Sequence, residues 1–277
     1  MMKTIYMADL DGTLLHSDGT LSDYTKTTLN ALIERGLQFT VNTSRTPDSA
    51  MSVLQGLRLK LPIILMNGSM FYNPETRDTE HLVCIDPIAA RTVVAVCRRL
   101  HTEPFVFSFK EGYMDLQYVS AASANSKKFI ETRGRYYRSC RQVDSINTSG
   151  KIPFIALVGD KPELENLEKQ FSRIKGIQTV LFPNEKGDYC FLEIYPEKAG
   201  KGDGAKLFKE KYGFNKIVAF GDNLNDIPML KAADFSVAVA NGYTDLKKIA
   251  NLEIDGCDQD SVANYLLMEW ARDPKLY

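Results

Sequence analysis

Short, uniformly apolar runs alternate along this chain with longer stretches whose apolar residues recur at helical spacing. The run 5–8 is followed by a stretch over 22–35 in which Leu29, Leu32 and Ile33 share one face and Gly36 stands where a helix would end. A second run, 37–41, precedes Asn42, Thr43, Ser44 and Arg45; Pro47 then opens another helix, and a third run, 63–66, leads into Asn67 and Gly68. Strand, helix, strand, helix, strand predicts right-handed crossovers and a parallel sheet covered on both faces. The last quarter returns to this style, with a helix over 202–212, a strand over 217–220, a polar turn over 221–226, a short helix and a strand over 235–239.

Between these halves the pattern changes. Helices are predicted over 87–100 and 162–173, but the strands at 105–107, 113–119 and 154–158, and two more after the second helix, mix aromatic and β-branched residues with polar ones. Such strands suit an antiparallel sheet with helices on one face. The expected architecture is a doubly wound, Rossmann-like α/β core made of 1–84 and 191–277, with an α+β segment, 85–190, inserted into it.

Composition narrows the function classes. A formal net charge of -1 over 277 residues argues against a general nucleic-acid or acidic-surface binder. No run of about 18 apolar residues is long enough to span a membrane. Met1, Met2 and Lys3 lead straight into a short strand without the apolar region of a signal peptide, so a cytoplasmic protein is expected. The five cysteines (Cys84, Cys97, Cys140, Cys190, Cys257) lack C-x-x-C spacing and read as free thiols, and His16, His81 and His101 have no ligand-like spacing.

The chemistry gathers at strand ends, where sheets of this kind place their functional groups. Asp9-Leu10-Asp11-Gly12-Thr13 sets two carboxylates behind the first strand, and Gly221-Asp222-Asn223-Leu224-Asn225-Asp226 crowds polar residues onto a turn before a helix. Clustered carboxylates call for a cation, and magnesium takes oxygen ligands of this kind. With a phosphate ester nearby, Asp9 can act as nucleophile, and Asp11 can give a proton to the leaving oxygen and later take one from water. Donors and a cation are needed around the phosphoryl oxygens. Thr43 is one candidate, although it, Ser44 or Thr46 can equally cap the helix after Pro47. Lys201 is another, and spacing does not choose it over Lys198. In the last turn Asp222 is best placed as a metal ligand, with Asn225 and Asp226 holding a lysine ammonium or a metal-bound water.

These segments, in this order, resemble those of the haloacid dehalogenase-like hydrolases, and within them the Cof-type phosphatases with a large α/β cap. The resemblance implies Asp9 as nucleophile, Asp11 as acid/base, Thr43 and Lys201 on the phosphoryl group, and Asp222 with Asp9 and the Asp11 carbonyl on magnesium. It favours Lys201 over Lys198. The candidate set is then Asp9 and Asp11 for catalysis; Thr43, Ser44, Arg45, Asn67, Lys201 and Asn225 around the substrate phosphate; and Asp9, Asp11, Asp222 and Asp226 around Mg2+. Ser44 departs from the glycine common in the family. The expected activity is magnesium-dependent hydrolysis of small phosphorylated metabolites through an aspartyl-phosphate, with a phosphosugar mutase of the same fold as the alternative and a non-catalytic nucleic-acid-binding regulator as a remote one. The inserted segment is expected to act as a lid that meets the leaving group. Within it Arg133, Arg135, Arg138 and Arg141, interleaved with Tyr136 and Tyr137, form a basic cluster that either solvates a surface or favours a second anionic group on the substrate.

Overall fold

The computed structural model describes residues 3–110, 112–134, 139–183 and 189–272, without the side chains at 132 and 133. The chain opens with β1 (Thr4–Ala8), α1 (Asp23–Glu34), β2 (Phe39–Val41), α2 (Pro47–Val53) and β3 (Ile63–Leu65). Ser22 caps α1 by accepting the Thr25 N–H, and Gly36 ends it at φ +115. The chain then reverses through Asn67 (φ 50) and Gly68 (φ 91), so that β4 (Met70–Tyr72) lies antiparallel to β3, and β5 (Thr79–Leu82) completes a three-stranded sheet. Among the described residues, β3 meets the end of β2 through a single parallel bridge, Asn42 to Ile64, as the expected parallel order requires, but its main pairing is in this hairpin and not in the parallel sheet. Both residues of the Asn-Gly pair adopt the left-handed backbone that this dipeptide tolerates in tight turns, and the turn sends the chain back.

Next come α3 (Pro87–Arg99), β6 (Phe105–Lys110), β7 (Tyr113–Tyr118), α4 (Ala124–Arg133), β8 (Ser139–Gln142), β9 (Lys151–Gly159), α5 (Lys161–Phe171), β10 (Ile177–Pro183) and β11 (Cys190–Pro196). Their strands form one sheet in the order β10-β11-β9-β6-β7-β8, antiparallel except for the parallel pair β7 and β8. Side chains alternate across a strand. Ile155, Leu157, Leu192 and Ile194 therefore pack on one face, against Ala90 and Val93 of α3 and Leu164, Leu167 and Phe171 of α5. Phe105, Phe107 and Phe191 meet Phe129 of α4 on the other, with centroids 4.5, 6.5 and 6.1 Å from its ring. Helices thus cover both faces of this sheet, not one as expected, because the alternate aromatic residues of β6 and β11 make the second face apolar as well.

The chain ends with α6 (Lys201–Lys211), β12 (Lys216–Gly221), α7 (Ile227–Ala232), β13 (Phe235–Val239), α8 (Thr244–Lys247), β14 (Leu252–Ile254) and α9 (Ser261–Arg272). A five-stranded, wholly parallel sheet runs in the order β14-β13-β12-β1-β2. Its middle strands β1, β12 and β13 are buried beyond the first residue of β12 and β13, which accounts for their apolar runs; Ile5, Met7, Ile217 and Ala219 pack there with Phe208, Met229 and Leu246.

Two compact units result, Met1–His81 with Gly200–Tyr277, and Leu82–Ala199. The boundary expected at 190/191 falls inside the second unit, since β11 is hydrogen-bonded to β9 and β10 of its sheet. Among the described residues no helix is long and apolar enough to cross a membrane. All five cysteines are free, and three of them are buried.

Candidate active site

The parallel register places the carboxyl ends of β1 and β12 side by side, with Ala8 opposite Phe220. Asp9 N–H continues the ladder to the Phe220 carbonyl at 3.0 Å, and its side chain is buried at the strand tip. The chain then turns at once, through Asp11 and through Gly12 at φ 74. A Cβ on Gly12 would lie 2.5 Å from Asp222 Oδ2, so the close approach of the two loops as well as the dihedral demands glycine. Thr13 Oγ1 donates to Asp222 Oδ1 at 2.7 Å, and Asn241 Nδ2 donates to the Gly12 carbonyl at 2.7 Å. Nothing in the sequence pattern singled out Asn241, which comes from the loop after β13.

Lys201, the first residue of α6, points its ammonium between two carboxylates, 2.8 Å from Asp9 Oδ1 and 2.5 Å from Asp226 Oδ1. Lys198 is exposed, so the structure separates the two lysines that spacing left equivalent. The depth of α6 is set by backbone contacts. A Cβ on Gly68 would meet the Gly200 carbonyl oxygen at 2.3 Å, and a Cβ on Gly204 would meet Gly68 Cα at 2.8 Å. Asn42 Nδ2 also donates to the Lys201 carbonyl at 2.9 Å. Asp226 is fully buried and doubly engaged: while Oδ1 holds the lysine, Oδ2 accepts the N–H groups of Asp222 at 3.1 Å and Asn223 at 3.0 Å.

Asp9, Asp222 and Asp226 each bring one carboxylate oxygen within 4.8 Å of the others. Burial, then the Asp226 charge, hold the Asp9 carboxyl well above the ordinary aspartate range despite Lys201. Burial and Asp226 likewise push Asp222 up to about 7, against the hydrogen bond from Thr13. Burial opposes the charge of Lys201, but Asp226 and Asp9 outweigh it and hold the ammonium above the ordinary lysine value. When ionised, three carboxylates against one ammonium carry two uncompensated negative charges, which raises these values and makes a donor set that fits a hard divalent cation. Asp226, expected among the ligands, belongs to this group, yet both its oxygens already serve Lys201 and the turn.

The remaining candidates divide. Thr43 is buried after β2 and its Oγ1 accepts the Arg45 N–H at 3.2 Å. It does not cap α2; Thr46 stands at the cap position without a side-chain cap bond. Ser44 is partly exposed and keeps a negative φ, so serine fits where the family has glycine. Asn225 Nδ2 donates to Asn67 Oδ1 at 3.4 Å, while Asn67 Nδ2 and Asn225 Oδ1 are buried without hydrogen-bond partners among the described residues. The Asp11 side chain lies outside the 4.8 Å group: Arg45 grips it with Nε on Oδ2 at 2.8 Å and Nη2 on Oδ1 at 2.6 Å. In the second unit, Arg135, Tyr136, Tyr137, Arg138 and the Arg133 side chain fall outside the described residues. Arg141 is spent on a buried carboxylate, Asp115, at 2.8 Å.

A family model described as haloacid dehalogenase-like hydrolase matches residues 6–266. An HMP-PP phosphatase of Serratia proteamaculans is 27% identical over 97% of this chain and 95% of its own length. A pyridoxal phosphate phosphatase of Escherichia coli is 25% identical over 96% of this chain and 98% of its own. A crystal structure of a haloacid dehalogenase-like hydrolase from Bacteroides thetaiotaomicron superposes with a TM-score of 0.80, covering 96% of this chain and 99% of that one at 22% identity. The chain belongs to the haloacid dehalogenase-like hydrolases.

Proposed function

We propose that this hydrolase is a magnesium-dependent phosphatase of small phosphorylated metabolites, acting through an aspartyl-phosphate on Asp9. The observation that carries the reading is the buried Asp9, Lys201 and Asp226 contact beside Asp222, which gathers a nucleophile, a cation and two further carboxylates at adjacent strand ends. Asp9, Asp222 and the Asp11 carbonyl would hold the metal. When bound, it supplies the positive charge that lets a carboxylate approach a phosphoryl group.

Asp9 attacks phosphorus in line; the ester P–O bond breaks as Asp11 gives its proton to the departing oxygen. Asp11, now a carboxylate, takes a proton from the water that attacks the acyl-phosphate, returning Asp9 and inorganic phosphate. Lys201 and the Thr43 hydroxyl stabilise the equatorial oxygens. Asn67 Nδ2 and Asn225 Oδ1, buried without protein partners, offer a further donor and acceptor to the bound ester. Asp226 holds Lys201 in place. The names of the relatives, an HMP-PP phosphatase and a pyridoxal phosphate phosphatase, support leaving groups of metabolite size.

Release of inorganic phosphate from sugar phosphates, nucleotides, pyridoxal phosphate and an aryl phosphate, with magnesium and with chelator, tests the proposal. Release that needs magnesium and vanishes in Asp9→Asn supports it. Wild-type turnover in a folded Asp9→Asn protein would remove the covalent route.

A further inference from the structure

The acid step assigned to Asp11 requires one of its oxygens to carry a proton and surrender it to the leaving group. In the structure both of those oxygens accept from Arg45, at 2.8 and 2.6 Å. A guanidinium fork needs two acceptor oxygens in its plane. The grip fixes the orientation of the Asp11 carboxylate, which can turn toward another group only when the fork lets go.

Arg45 is held in a way that lets only its side chain travel. Its N–H donates to Thr43 Oγ1 at 3.2 Å, and its carbonyl accepts the Met66 N–H at 3.1 Å, which fixes the backbone inside the substrate-phosphate loop. Nη1 rests on the Ser49 carbonyl at 3.3 Å and Oγ at 3.2 Å. The Asp11 side chain, 49% exposed, lies open to solvent, whereas that of Arg45 is 17% exposed. A phosphoryl group presents the same two-oxygen edge as a carboxylate, with more charge.

We propose that Arg45 is a positioning residue that exchanges partners. It pairs with Asp11 while the site holds no phosphoryl group and passes its fork to two phosphoryl oxygens when substrate binds. Its departure frees Asp11 to turn to the leaving oxygen. The exchange rests on the acid/base reading of Asp11 given above. Asp11 and phosphate then compete for one guanidinium, a coupling that a fixed phosphate ligand or a purely structural ion pair lacks.

Calorimetric titration with inorganic phosphate in the presence of magnesium tests this on wild type, Asp11→Asn, Arg45→Gln and the double variant. Loss of a charge-assisted contact should make Arg45→Gln bind about tenfold more weakly. Asp11→Asn should bind about threefold to tenfold more tightly, since the fork starts without a charged partner, and should change affinity by less than about twofold in the Arg45→Gln background. Equal tightening in both backgrounds would mean that the Asp11 charge merely repels phosphate, and would overturn the exchange. So would an Arg45→Gln protein with wild-type affinity. Arg45→Lys, which keeps the charge without the fork, takes the same place if the glutamine variant does not fold, and there too equal tightening refutes the proposal. The phosphatase reading is judged separately: if Asp11→Asn leaves kcat on an alkyl phosphate unchanged, the acid/base role falls, whereas the coupling is read from binding alone.

Discussion

Lys201 keeps its charge with 1% of its side chain exposed, which is tolerable only because two carboxylates lie within hydrogen-bonding distance. Replacing it leaves Asp9 and Asp226 buried against each other. Lys201→Met should therefore lose turnover and also about 3–5 kcal/mol of stability, read from urea unfolding in chelator. Added magnesium should restore part of that loss; a variant as stable as wild type would show that water or rearrangement replaces the ammonium. At this scale the sequence was most legible where charge had no ordinary reason to be: Asp9, Asp11 and Asp222 stand at the ends of apolar runs. Lys201 required the resemblance, because Lys198 has the same local surroundings. Asn241 and the partner of Thr13 were beyond reach, since each bond joins residues more than 200 positions apart.

The first turn of α6 is wedged against the Asn67 and Gly68 turn, with Gly68 and Gly204 allowing the contact. Alanine at 204 gains about 1 kcal/mol of helix propensity, but the overpacking against backbone costs about 1–3 kcal/mol, so destabilisation wins. Gly204→Ala should lower the melting temperature, and it should lower kcat more than it raises KM, because the displaced turn carries Lys201. A second tie joins α1 to the start of α9. Asp260 Oδ1 accepts from Ser22 Oγ at 2.5 Å, Thr25 Oγ1 at 2.8 Å and His16 Nε2 at 3.0 Å. Burial works to raise this carboxyl, but the hydrogen bonds outweigh it and hold it below the ordinary value of 3.8. A lowered folded value means that the ionised form stabilises the fold above the unfolded value, and that this contribution disappears as pH falls through the lower, folded one. Asp260→Asn should thus be less stable at neutral pH and should lose less stability between neutrality and the region below 3.8, in denaturant titrations at the two conditions. Elements with strong periodicity, β1, α1, β12 and α3, were readable from sequence. The β3 and β4 hairpin was not, since it depends on a reversal at Asn67; nor was α4, whose burial rests on the single aromatic Phe129 and not on an amphipathic repeat.

Among the described residues one apolar core is centred on the parallel sheet and another on the sheet of β6 to β11, in separate units. The candidate carboxylates all belong to the first unit. Magnesium should therefore raise one unfolding transition and not the other in scanning calorimetry, by about 2.7 kcal/mol at a hundredfold excess over Kd. A uniform shift of a single transition would mean that the units melt together. The change of strand character around 85 announced the second unit, but its end did not show. The apolar stretch from Phe191 to Tyr195 reads equally well as a strand of either sheet, and pairing with β9 decides it.

The interior strand β1 waits longest for a neighbour, because β12 lies more than 200 residues later. During vectorial synthesis the Leu82–Ala199 unit is complete in sequence well before that partner emerges, and so can fold while β1 is paired on one side at most. Once folded, it shortens the loop that must close to bring β12 to β1, lowering the entropy cost of the long-range pairing. The ribosome thus delivers Asp9 before that unit and withholds Lys201 and Asp222 until after it. Truncated products of this gene should consequently be catalytically silent.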